Sequence, residues 1–221
     1  MKNKSLLIFV LIFSVFGFIN LAEAHNPRLV YNLDALVEKP ITINKPDISQ
    51  AFYGRLKGWE EYYRFTITTS TDFYWQTLVP DVKDIQKNVS ADLLDEGEAV
   101  IATLDAKKSD WSPYFEEYAG DHYFSGPSST INLEPGTYTI KIYNDSNNEG
   151  KYVLVVGQKE VFTAKEVIGT IVNLPVLKTY FNESPLTAYL NRAGLYMGGA
   201  LLGLLFLYFF IKLIFRMISR L

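Results

Sequence analysis

Two apolar runs, Leu6–Ile19 and Ala193–Ile211, bracket this chain and set the limits on everything between them. The first follows Lys2 and Lys4 and ends shortly before Ala22-Glu23-Ala24. A basic start, a short apolar stretch and small residues three and one positions before a cut are the marks of an export signal. Cleavage is expected after Ala24, leaving His25 as the new N-terminus. The run is 14 residues long, whereas a helix needs about 20 to cross a bilayer.

The second run holds 19 residues without a charge. As a helix it is about 28 Å long, close to the thickness of a hydrocarbon core. Lys212, Arg216 and Arg220 follow it, against Arg192 alone just before it. This bias predicts a single-pass protein of the cell membrane, with its N-terminus outside and its C-terminus cytoplasmic. The three cations recur every four residues, so they share a helix face beside the lipid headgroups. Gly194 with Gly198, and Gly199 with Gly203, put glycine at i and i+4. That spacing lets two helix backbones approach closely and predicts helix packing in a homodimer; the plainer reading is that glycine is common in spans.

The expected plan is a signal peptide at 1–24, an ectodomain at 25–160, a helical juxtamembrane stalk at 161–192, a transmembrane helix at 193–211 and a basic tail at 212–221. Of 21 Lys and Arg and 24 Asp and Glu, 16 and 23 fall between His25 and Arg192, a net charge near −7 that argues against nucleic acid as a partner. Cysteine is absent. Disulfides, thiolate metal sites and cysteine nucleophiles are therefore excluded, and the ectodomain must be held by a hydrophobic core.

Strand signals recur through that ectodomain. Residues 40–44 alternate, 51–56 end at Gly58, and Tyr63, Phe65 and Ile67 share one face of 61–68. Further runs cover 73–79, 89–94, 99–104, 129–133, 137–143 and 151–156, the last nearly all apolar. Asp95-Glu96-Gly97-Glu98 reads as a hairpin turn. Many short strands at such spacing predict an all-β fold, an antiparallel jelly-roll-like sandwich.

Gly54-Arg-Leu-Lys-Gly58 followed by Tyr62-Tyr-Arg-Phe65 resembles the opening of the bacterial pre-peptidase C-terminal domain. Leu133-Glu-Pro-Gly-Thr-Tyr-Thr-Ile-Lys-Ile-Tyr143 followed by Gly150-Lys-Tyr-Val-Leu-Val-Val156 resembles its closing hairpin. The likeness covers about 48–157 and implies a small, exported, non-catalytic β-sandwich of the kind often attached to enzymes or surface proteins. Residues 111–127 stand outside it as an insertion, and no peptidase precedes the domain.

Beyond Gly157 the pattern turns helical. Thr163-Ala-Lys-Glu166 fits a capping box, and Val167, Ile168, Ile171 and Val172 share a helical face. Pro175 is expected to interrupt that helix. Ser184-Pro185 reads as a second cap, opening the helix that becomes the span. The stalk's apolar face has two possible partners, the sandwich or the membrane surface.

Few residues invite chemistry. His25 would offer an α-amine and a ring nitrogen, and His122 could complete a three-nitrogen copper site with Asp121 nearby. The alternative is two unrelated histidines. Two acidic groups, Asp92, Asp95, Glu96 and Glu98, and Glu116, Glu117 and Asp121, are the candidates for calcium, although neither has the spacing of a defined calcium loop. No G-x-S-x-G occurs, and no catalytic residue is assigned. The expected function is a membrane-anchored envelope binding or scaffold module for a protein or glycan partner, needing no cofactor; the alternative is an exported copper-binding protein.

Overall fold

A computed structural model describes residues 25–161 and 163–219. The expected signal peptide and Arg220 lie outside the described residues. Eleven strands form two sheets: β1 Asn26–Leu29, β2 Ile41–Thr42, β3 Gln50–Lys57, β4 Glu61–Ile67, β5 Thr71–Pro80, β6 Val89–Leu94, β7 Val100–Leu104, β8 Ser112–Glu116, β9 Asp121–Leu133, β10 Gly136–Asn144 and β11 Glu149–Val156. The six-stranded sheet runs β1-β3-β11-β5-β9-β8, and the five-stranded sheet runs β2-β4-β10-β6-β7. The fold is the expected mostly-β sandwich. It is not wholly antiparallel, because β1 lies parallel to β3 and β2 parallel to β4 at one edge of each sheet.

The core follows from period-two alternation. On β4, Tyr63, Phe65 and Ile67 are buried while Arg64 and Thr66 face water. They meet Phe52, Leu56, Trp75, Tyr152 and Leu154 of the opposite sheet. β11 breaks the alternation, since Tyr152 to Val156 are all buried. Both of its faces are covered. Tyr152, Leu154 and Val156 point between the sheets, whereas Val153 and Val155 point outward under a helix. A strand buried on both faces reads as a continuous apolar run, which accounts for the composition of 151–156.

That helix is α1, Ala164–Tyr180. The capping box is present as expected: the Glu166 amide donates to Thr163 Oγ1 at 3.2 Å and the Thr163 amide to Glu166 Oε2 at 3.0 Å. Pro175 does not end the helix, which continues to Tyr180. Leu174, Leu177, Tyr180 and Phe181 pack over Ala51, Tyr53, Leu78, Val153 and Val155, forming a third layer on the six-stranded sheet. Ile168 and Val172, half of the apolar face expected from the sequence, point to solvent instead.

Ser184 and Pro185 open a short 3-10 turn, Pro185–Tyr189, rather than the spanning helix. The long apolar helix, α2, runs separately from Arg192 to Ile218 and is long and apolar enough to cross a membrane. It is one continuous helix through Lys212 and Arg216, and its apolar window covers Met197–Arg216 with none of it buried.

Two further sequence expectations change. Residues 111–127 hold β8 and the first half of β9, where Gly126-Pro127 masks the strand pattern. At Gly126 the Trp111 ring and the Thr77 carbonyl occupy the place of a side chain, opposite a register shift in β5. Residues 133–143 and 150–156 do not pair as a hairpin. β10 pairs with β4 and β6, β11 with β3 and β5, so the connection crosses between sheets. Asn144 Oδ1 organises that crossing by accepting from the amides of Ser146, Asn147 and Asn148.

Candidate functional site

The sandwich meets the apolar helix at Asn191. Its Oδ1 accepts from the Gly194 amide at 3.0 Å, the N3 position of α2, which makes Asn191 the helix N-cap. Its Nδ2 donates to the carbonyls of Ala119 at 2.7 Å and Ala188 at 2.9 Å. One side chain therefore joins the β8–β9 turn, the 3-10 turn and the first turn of α2. Next to it Arg192 pairs with Glu117 of the same β8–β9 turn. Gly120 in that turn has φ +69, and a side chain there would stand 3.2 Å from Asn191 Cβ. The sandwich is held close to the first turn of α2 by these contacts.

Above this junction lies a buried ion pair. Lys178 of α1 donates to Asp121 Oδ1 of β9 at 2.5 Å and also reaches Glu183 at 3.3 Å. Lys178 and Asp121 are almost fully inaccessible. Burial pushes the Asp121 carboxyl up to about 6, against the opposing pull of Lys178. Glu116 accepts from the amides of Tyr118 and Ala119, at 2.8 and 2.7 Å, and burial raises it as well. The second acidic group thus serves the junction. In the first, Asp95 Oδ1 binds the amides of Gly97 and Ala99 within the hairpin turn, and Asp92 pairs with Lys141 at 2.9 Å.

A second polar cluster sits inside the sandwich. Tyr63 and Tyr152 share a hydroxyl hydrogen bond of 2.6 Å, and Tyr152 donates to Glu61 Oε2. Burial pushes Glu61 up to about 7, with the Tyr152 bond and Lys57 opposing it. The Tyr152 ring lies so close to Gly54 that any side chain there would overlap it. From the outer face the Tyr180 hydroxyl reaches the carbonyls of Gly54 at 2.8 Å and Tyr152 at 2.6 Å, fastening α1 to β3 and β11.

The predicted copper residues are not brought together. His25 sits beside Ser49 at the β1 edge. His122 lies in β9, its ring 4.6 Å from that of Phe115. Strands β3, β11 and β5 stand between them, and His122 is seven residues along β9 from Ser129, the partner of Trp75. At the spacings of a sheet this is on the order of 30 Å. Asp121 points to the opposite face of β9 from His122 and is engaged by Lys178. Among the described residues no three of His, Asp or Glu converge as metal ligands.

The four glycines also part company. At Gly194 a Cβ would come within 1.8 Å of the Tyr189 carbonyl oxygen, so this glycine serves the turn into α2. Gly198, Gly199 and Gly203 face open space, leaving them free for the helix packing expected of them. Lys212 folds over the Tyr208 ring at 5.8 Å, and both it and Arg216 are exposed.

Asn191 and Lys178 were not singled out in the sequence, and Glu116, Glu117 and Asp121 around the β8–β9 turn stood out only as candidate metal ligands. An Asn immediately before a long apolar helix was a readable cap signal. The main partner of Lys178, Asp121, was not readable, because it comes from a strand 57 residues away.

No family model and no curated protein matches the sequence. Among solved structures, the chain is similar to the pre-peptidase C-terminal domain of a collagenase from Bacillus anthracis, at 16% identity over 61% of this chain and 98% of that one, with TM-score 0.34. It is similar also to PliG, a periplasmic inhibitor of g-type lysozyme from Aeromonas hydrophila, at 13% identity, 61% and 98% coverage and TM-score 0.33. A third is CorA, a surface-associated copper-binding protein of Methylomicrobium album, at 8% identity, 54% and 97% coverage and TM-score 0.29. The resemblance to the pre-peptidase C-terminal domain is thus a loose one and covers part of the chain.

Proposed function

We propose that this chain is a single-pass membrane protein that presents a non-catalytic β-sandwich outside the cytoplasm, close to the bilayer, as a binding or scaffold module for a protein or glycan partner. One observation carries the reading: Asn191 caps an exposed apolar helix of spanning length while bonding to the sandwich itself. A flexible stalk would let the domain roam. These contacts instead hold it at a fixed height, which suits recognition of something at the membrane surface. Lys212 and Arg216 at the far end of the apolar helix support a cytoplasmic C-terminus. The Lys178–Asp121 pair and the Glu61–Tyr152–Tyr63 cluster serve packing, since each is enclosed and joins layers of the fold.

The test uses the full chain in cells. After alkaline carbonate washing the protein is expected in the membrane pellet, and external protease is expected to digest residues 25–192 while sparing a C-terminal tag. Release by carbonate, or an ectodomain resistant to external protease while internal protease cuts it, overturns the proposal. Pull-down with the intact protein in detergent then reads the partner.

A further inference from the structure

α1 has two apolar sides. One is spent on the sandwich. The other, Ile168, Val172 and Val176, recurs every four residues and stands exposed, with Val172 65% accessible. Leu186 and Leu190 of the following turn are 87% and 82% accessible. Exposed apolar ridges of this kind are uncommon on a soluble domain and mark a contact surface. No charged residue occurs from Val167 to Leu177 or from Pro185 to Asn191, although the exported part as a whole is acidic. The Tyr189 hydroxyl bonds the Ile171 carbonyl at 3.1 Å, so the 3-10 turn lies along α1. Leu190 is two residues from the start of α2, whose own Leu195 continues the apolar surface.

We infer that this ridge docks on the outer leaflet of the same bilayer that holds α2, sinking Ile168, Val172, Val176, Leu186 and Leu190 into the boundary between headgroups and acyl chains. The inference rests on the anchored reading above. Its occupant is lipid rather than another protein, because the ridge is continuous with the root of the span and carries no charge. An interfacial helix of this kind gains from each buried apolar side chain and keeps its polar side toward water. Here the side away from lipid is the sandwich itself. The ectodomain would therefore lie against the membrane in one orientation, with the β10–β11 and β6–β7 turns carried by the same rigid body.

The absence of cysteine allows single labels to be placed cleanly. The full chain, reconstituted into phosphatidylcholine–phosphatidylglycerol vesicles, carries one nitroxide at Val172→Cys, Leu190→Cys, Thr66→Cys or Leu204→Cys. The ratio of collisions with oxygen to collisions with a water-soluble nickel chelate reads depth. Labels at 172 and 190 are expected to show a severalfold higher ratio than the label at 66, approaching that at 204. If 204 is lipid-exposed while 172 matches 66, the docking is overturned and the anchor stands. If 172 is shielded from both reagents, a protein covers the ridge and lipid docking is again overturned. If 204 itself is water-exposed, the anchor fails and the docking with it.

Discussion

The Tyr189 hydroxyl donates to the Ile171 carbonyl at 3.1 Å, occupying the acceptor that Pro175 cannot engage. In an uninterrupted helix the amide of residue 175 would bond the carbonyl four residues earlier; proline has no such hydrogen. α1 continues through Pro175 because its buried face, Leu174, Leu177 and Tyr180, is held by the sheet beneath it. The freed carbonyl becomes the docking point for the 3-10 turn that leads to α2. Tyr189→Phe is expected to cost about 1 kcal/mol, the net value of a hydrogen bond. In a Pro175→Ala background, where a helical amide takes that carbonyl, the same change is expected to cost much less. Chemical denaturation of the four proteins in detergent measures the difference. Equal costs in both backgrounds would show that the proline plays no part in the contact.

Lys178 and Asp121 join α1 to β9 out of reach of water. Removing one partner of such a pair leaves a buried charge and costs about 3–5 kcal/mol, whereas replacing both with apolar residues of similar size is often nearly neutral. Lys178→Met is therefore expected to destabilise the sandwich strongly, and Lys178→Met with Asp121→Leu to recover most of the loss. Thermal unfolding of the purified chain reads both. A double variant as unstable as the single one would place the cost in the shape of Lys178 rather than in its charge.

The raised carboxyls set a pH dependence. Glu61 is pushed up to about 7 and Asp121 to about 6, from ordinary values of 4.5 and 3.8. The folded protein holds these protons where the unfolded chain releases them, so folding takes up protons across this range. The associated stability is fully present below the unfolded values and is lost as pH rises through about 6 and 7. Melting temperature is therefore expected to rise by several degrees from pH 8 to pH 5. Glu61→Gln, which keeps an acceptor for Tyr152, is expected to flatten the upper part of that change. A melting temperature highest at pH 8 would mean that both carboxyls are ionised in the fold at little cost.

The strands were legible where one face meets the core, as in Tyr63, Phe65 and Ile67 on β4, because alternation survives in the sequence. The stretch of β9 before Ser129 was not, since Gly126 and Pro127 are turn signals whose use here depends on the Trp111 ring packed against Gly126. The helical stalk was legible as a helix through Thr163 and Glu166, local partners in a capping box. Which side of it would be buried was not, because Leu174 and Leu177 gain their partners from β3, β5 and β11, distant in the chain. The junction was hidden for the same reason. The β8–β9 turn that contacts Asn191 and Arg192 lies in residues 111–127, the segment that the family resemblance leaves aside, and its meaning comes from where the fold carries it.

Gly194 and Gly203 look alike in sequence and differ in consequence. A methyl group at Gly194 would sit 1.8 Å from the Tyr189 carbonyl oxygen, a backbone atom that cannot turn aside, while at Gly203 it would meet open space. Gly194→Ala must push the 3-10 turn away from α2, and this breaks the bonds that Asn191 makes to Ala119 and Ala188. Asn191→Ala removes the same bonds and the cap directly, a loss of about 0.5–2 kcal/mol for the cap alone. Arg192, held by Glu117 beside this turn, reports the damage. Trypsin acting on the detergent-solubilised chain is expected to cut after Arg192 severalfold faster in Gly194→Ala and Asn191→Ala than in the parent, and at the parent rate in Gly203→Ala. Unchanged cutting in the first two would mean that these contacts do not fix the sandwich relative to α2, and the fixed height proposed for it would lose its support.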